Sequence, residues 1–131
     1  MATLQVELVA VERKIWSGEA ERVIARTTEG ELGVLPGHAP LLGQLADGGV
    51  VTIRVAGGED VVVAAHGGFL SVSDKGVSIL AETAEISTEI DVERAREALR
   101  RAESEGDDPE SIAAARRAQS RLQAAGASAT A

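Results

Sequence analysis

Cysteine is absent from the 131 residues, which excludes disulfides, thiol catalysis and cysteine metal sites. That absence fits a reducing compartment. Aromatic side chains are nearly missing too: Trp16 and Phe69 stand alone, with no Tyr. A core must therefore be built from Val, Ile, Leu and Ala, modest in energy and easy to perturb. Basic residues are scarce, 13 against 21 acids, for a net charge of −8. Such a chain is repelled by phosphate backbones and anionic lipid, so neither nucleic acid nor a membrane surface is an expected partner. No window approaches the ~20 apolar residues of a bilayer span, so direct membrane insertion is not expected. The start, Met1 to Glu7, lacks a charged segment followed by an apolar one, and no signal peptide is expected.

What is present suits one compact domain with a small appendage: 44% of the residues are apolar. Residues 1 to 86 read as strands. Leu4, Val6 and Leu8 alternate with polar neighbours, as do Val51, Ile53 and Val55, which is the period of a half-buried strand. Gly57-Gly58-Glu59-Asp60 before Val61-Val62-Val63 is a hairpin signal. Ser73-Asp74-Lys75-Gly76, between Phe69-Leu70-Ser71-Val72 and Val77-Ser78-Ile79-Leu80, is a second. Many short strands with closely spaced turns predict an antiparallel β-sandwich or flattened barrel. The stretch Gly30 to Pro40 holds two Pro and three Gly, which excludes a helix or a central strand and marks a shaped loop as a contact surface.

From residue 87 to 131 the period becomes helical. Asp91 is an N-cap, and Val92, Ala95, Leu99 and Ala102 share one face. Asp108 is the next N-cap, with Pro109 at the first helical position. Ile112, Ala115 and Leu122 are expected on one face of a second helix that Gly126 ends, with residues 126–131 a disordered tail. The short connection predicts an antiparallel α-helical hairpin. Each helix is of a length that is marginal alone in water, and the seam has few large apolar residues, so the hairpin should dock weakly. Charge is uneven: residues 111–131 carry Arg116, Arg117 and Arg121 and no acid, a cationic helix on an acidic protein. It could seek an acidic partner surface or be a solvated face.

No catalytic constellation is visible. His38 and His66 fall in no metal-ligand spacing, and there is no Gly-x-Ser-x-Gly elbow and no phosphate loop. His38 reads as a loop or interface residue and His66 as a strand-end residue. No metal site is expected and no cofactor is required. A small hydrolase using either His, and a free-standing β-sandwich adaptor with a helical tail, are the rival readings.

The run Glu29-Gly30-Glu31-Leu32-Gly33-Val34-Leu35-Pro36-Gly37-His38-Ala39-Pro40-Leu41-Leu42 closely resembles the signature of ATP synthase epsilon subunits. Gly67 to Val72 followed by Val77 to Glu85, and Ile90 to Ala95, agree in order and spacing. The resemblance implies a ten-stranded sandwich that binds the gamma subunit and sits on the ring of c subunits, with Gly30, Glu31 and His38 on the c-ring side. It implies a non-catalytic rotor part of a proton-driven ATP synthase, peripheral on the cytoplasmic side of a bacterial cell membrane. The hairpin would be regulatory: folded against the sandwich, or extended along gamma into the catalytic hexamer of alpha and beta subunits, where Arg116, Arg117 and Arg121 would meet acidic segments and hydrolysis would be braked. The short second helix departs from longer members and limits that reach. Some members bind ATP through an I-D-x-x-R-A motif, which Ile90, Asp91, Arg94 and Ala95 match. Arg94 could pair with phosphate and Asp91 could accept from the nucleotide; equally, Asp91 is a helix cap and Arg94 a surface residue.

Overall fold

The computed structural model describes residues 2–126. Seven strands come first: β1 (Leu4–Ala10), β2 (Lys14–Thr27), β3 (Gly30–Val34), β4 (Leu41–Gln44), β5 (Gly49–Val55), β6 (Val61–Ser73) and β7 (Gly76–Ile86). A short 3-10 turn, Ser87–Glu89, leads to α1 (Val92–Ser104) and α2 (Pro109–Ala124). The disordered tail expected over 126–131 lies, from residue 127, outside the described residues.

Three long strands serve two layers. β2 pairs with β1 through Lys14–Ala20 and then with β5 and β3. β6 pairs with β5 through residues 61–65 and with β4 through residues 69–72, while β7 follows it from Val63 to Ser73. Seven continuous strands thus furnish ten segments, five in each layer of a sandwich. The crossover in β6 is visible in burial. Val63 and Ala65 point to the core before Gly67-Gly68, whereas Leu70 and Val72 do so after it. Gly67 (φ 68°) and Gly68 (φ 100°) permit this change of phase, because an L side chain is disfavoured there. Val61–Val63 and Phe69–Val72 therefore belong to one strand. The pairing is antiparallel with one exception: β1 and β7 run parallel.

The core is Val, Ile, Leu and Ala throughout, with Val6, Leu8, Val23, Ile53, Leu70 and Ile79 fully enclosed. Both hairpin turns form where the sequence places them, and β3 is an edge strand paired with β2 alone. Asp91 and Asp108 cap α1 and α2, accepting from the backbone N–H of Arg94 and Ser111 at 3.1 and 3.2 Å.

The helices make a second, small core from Ala95, Leu99, Ala118 and Leu122. α2 lies between α1 and the sheet, and it buries Ser111, Ala118, Ser120, Leu122 and Ala124. Ile112, expected on that buried face, is 42% exposed. Leu122, of the same size, is buried against α1 instead. The Ser120 hydroxyl donates to the carbonyl of Gly49 at 2.6 Å in the buried seam. Arg121 pairs with Glu85 at 2.8 Å at its edge.

Candidate functional site

Two surfaces of the sandwich differ sharply. One outer face, on β5 and the first half of β6, is covered by α2. The opposite layer leaves its outer face bare. There Phe69 stands across from Leu80, Leu80 from Val9, and Gln44 completes the row on β4. Phe69 is 52% exposed, Leu80 53%, and Leu42, two residues along β4 on the same face, 73%. The only Phe of the chain thus points to solvent within an apolar row. A lone exposed Leu means little, but large apolar side chains aligned across adjacent strands mark an interaction surface. The alternation around Leu70 and Val72 could have shown this, since those two inward residues force Phe69 outward.

The loop motif lies at the rim. Gly30 and Glu31 open β3 opposite Thr27 and Arg26. Glu31 is exposed. Past the far end of β3, Gly37 and His38 border a cleft of about 380 Å³ with Thr3, Gln5, Asp74 and Lys75. The ring Nδ1 of His38 lies 2.7 Å from the carbonyl oxygen of its neighbour Ala39. Gly30 and Glu31 do not line that cleft.

Asp91, Arg94 and Ala95 do come together, lining a pocket of about 340 Å³ with Glu85, Glu89, Ala98 and Arg121. Ile90 is not part of the lining. Glu85 is paired with Arg121 and Glu89 with Arg13. Asp91 is engaged as the helix cap. Arg94 is the one guanidinium in the pocket without a side-chain partner among the described residues.

The three arginines of α2 are separated by their surroundings. Arg121 is held by Glu85 and Arg117 by Glu110 at 3.0 Å. Arg116 borders an open cleft of about 920 Å³ with Arg26, Asp47, Glu82 and Gln119. Among the described residues, only Arg116 of the three has no acidic partner.

His66 is a mid-strand residue of β6 rather than a strand-end one, and it is 6% exposed. It shares the α2-covered face with Ala64. Neither ring nitrogen has a hydrogen-bond partner among the described residues. Its pKa is lowered to about 4, first by burial and then by the Arg121 guanidinium, with Asp47 opposing and Arg117 adding to the lowering. Among the described residues no group of three or more His, Cys, Asp or Glu could hold a metal ion, and no helix is long and apolar enough to cross a membrane.

Comparison with known proteins agrees with this architecture. The family model of the ATP synthase delta/epsilon chain beta-sandwich domain matches residues 3–87. The ATP synthase epsilon chain of Rhodococcus opacus is 61% identical over 116 residues, covering 88% of this chain and 93% of that one. Those of Streptomyces avermitilis and Mycobacterium marinum are 56% and 51% identical, each covering at least 96% of both chains. A chain in the Euglena gracilis mitochondrial ATP synthase F1/c-ring structure superposes with a TM-score of 0.73 at 30% identity, covering 94% of this chain and 77% of that one. One from the Tetrahymena thermophila central stalk/c-ring structure, at 18% identity and a TM-score of 0.59, shares the fold. With the whole two-part layout matched at these identities, the chain belongs to the ATP synthase epsilon chain family and is a component of that complex.

Proposed function

We propose that this chain is a non-catalytic rotor part of a proton-driven ATP synthase, seated on the gamma subunit through the bare outer face of Val9, Leu42, Phe69 and Leu80. The observation that carries this is the apolar row itself, on the face opposite the docked helices, in a chain of this family. The rim at Gly30, Glu31 and His38 meets the polar loops of the c ring on the cytoplasmic side of the membrane. Residues 1–86 are the coupling unit and 87–131 the regulatory unit. Extension of the hairpin into the alpha/beta hexamer releases Arg117 and Arg121 from Glu110 and Glu85 for acidic segments there, joined by the free Arg116. The docked hairpin is the permissive form. A regulatory ATP would hold it, with phosphate on Arg94 and Asp91 turned from its cap to the nucleotide. In support of a non-catalytic part, His66 is sealed under α2 and the Nδ1 of His38 is turned to its own backbone.

The test uses the cognate ATP synthase stripped of this subunit. Adding back the full chain should restore gamma association and coupled synthesis, and Phe69→Asp should abolish both while leaving the melting temperature of the isolated chain unchanged. Equal assembly by Phe69→Asp and wild type would remove the apolar row as the gamma seat. Comparing the full chain with one ending at residue 90 reads the brake: stronger suppression of ATP hydrolysis by the full chain supports it, and equal rates count against it.

A further inference from the structure

The seam between α2 and the sandwich contains one ionisable side chain that nothing in the coupling function requires. His66 projects from β6 into this seam beside Ala64, where α2 covers it. Its surroundings are specific. From α2, Arg117 and Arg121 bring two positive charges to bear on it. The loop before β5 contributes Asp47, the one acid acting against them. On β7, its ladder neighbour is the neutral Thr83; Glu82, against Gly67, faces the open cleft, and Glu85 is spent on Arg121. At this level β5 offers Gly49 and Val50, without charge. A neutral imidazole is tolerated here. An imidazolium would be a buried cation beneath two guanidiniums, with no protein acceptor for either N–H.

We propose that His66 is a proton-operated latch on the helical hairpin: its neutral ring lets α2 close over β6, and its protonation releases α2 from the sandwich. The inference rests on the docked geometry alone. It adds a trigger to the hairpin and does not depend on where the freed helices go.

The direction follows from linkage. The ring's pKa is lowered from 6.5 to about 4 while α2 is docked, so docking is at full strength above the free value. It weakens as pH falls from about 6.5 towards 4, by about tenfold per unit at most. Between pH 7.5 and 5.5 the docking equilibrium should therefore fall roughly tenfold. Release also frees Arg121 from Glu85, exposing the cationic side of α2.

The experiment uses the full chain carrying His38→Gln, so that His66 is the only imidazole. NMR follows the His66 ring and, on the same samples, amide exchange of α2 corrected for the intrinsic effect of pH, from pH 7.5 to 5. The expected result is a roughly tenfold loss of α2 protection by pH 5.5 that begins near pH 6.5, where the undocked ring protonates, with β1 amides unchanged. His66→Gln, neutral at every pH, should abolish the pH dependence. Overturning results are α2 protection that is flat across this range, a loss that persists in His66→Gln, or a ring that protonates at an ordinary pKa while α2 stays docked. Should His66→Gln fail to dock at pH 7.5, the wild-type onset decides alone: a loss of α2 protection beginning near pH 6.5 supports the latch, and protection flat to pH 5 overturns it. Failure of the latch leaves the hydrolysis assay with the chain ending at residue 90 untouched, so the two readings fail separately.

Discussion

Gly48→Ala should unseat the hairpin while sparing the sandwich, and its size can be worked from the seam. Gly48 has φ +76°, and a Cβ placed there would lie 2.7 Å from Cβ of Arg116 and 2.8 Å from its carbonyl oxygen. Ordinary carbon contacts are about 3.5–4.0 Å, so this stretch of α2 must retreat by about 1 Å. Ser120 lies one turn further on, and its 2.6 Å bond to Gly49 cannot survive such a retreat. A buried hydroxyl and carbonyl left unpaired cost about 1–3 kcal/mol, a fall of about 5- to 150-fold in docked population. Alanine in left-handed backbone costs about 1–2 kcal/mol in addition, but that strain sits in the sandwich whether or not α2 is docked. Gly57→Ala is the matched control: φ is +73° and nothing lies within 4 Å of the added methyl. Hydrogen exchange should show similar losses in β1 for both variants, and a further 5- to 150-fold loss of α2 protection in Gly48→Ala alone. Equal α2 protection in the two variants would refute the seam as the anchor of the hairpin.

Other outcomes follow from the same contacts. Leu8→Ala empties a fully enclosed site and should cost about 2–5 kcal/mol in a urea titration of the sandwich. Arg121→Ala removes a half-exposed pair worth about 0–1 kcal/mol. Because its charge also helps depress His66, NMR should show the ring pKa rising towards 6.5. Asp108→Ala should fray the start of α2, read as lost helical ellipticity. The Asp108 carboxyl is held below its usual value first by the Ser111 hydroxyl and then by the Ser111 N–H. This contribution is therefore present above the ordinary aspartate range and lost as pH falls through the lowered value.

The sequence is most legible where a local rule decides the structure. Asp91 and Asp108 cap because a short acceptor before an amphipathic run has little else to do, and Ser73 to Gly76 turns because the glycine supplies a φ of 136°. The continuity of β6 is hidden because Gly67-Gly68 shifts the alternation by one residue, and a phase shift looks like a strand end. For the same reason His66 reads as terminal. The orientation of α2 is hidden because the sheet, not the apolar period, chooses its second face. Ser120 is buried there against Gly49, while Ile112 is turned out. Of the residues that match the nucleotide motif, Asp91, Arg94 and Ala95 share a pocket, whereas Ile90 stands apart, as a linear motif cannot foretell.

The strands that serve both layers have a mechanical meaning. In an ordinary sandwich the two sheets are joined by loops and by side-chain contacts, so a sideways load can make one sheet creep over the other. Here β2, β6 and β7 pass from sheet to sheet as unbroken hydrogen-bonded backbone. Sliding would require rupture of main-chain ladders rather than rearrangement of soft aliphatic contacts. A domain whose filling is only Val, Ile, Leu and Ala is thereby made stiff in shear, so that a torque entering at one face leaves at the other with little lag.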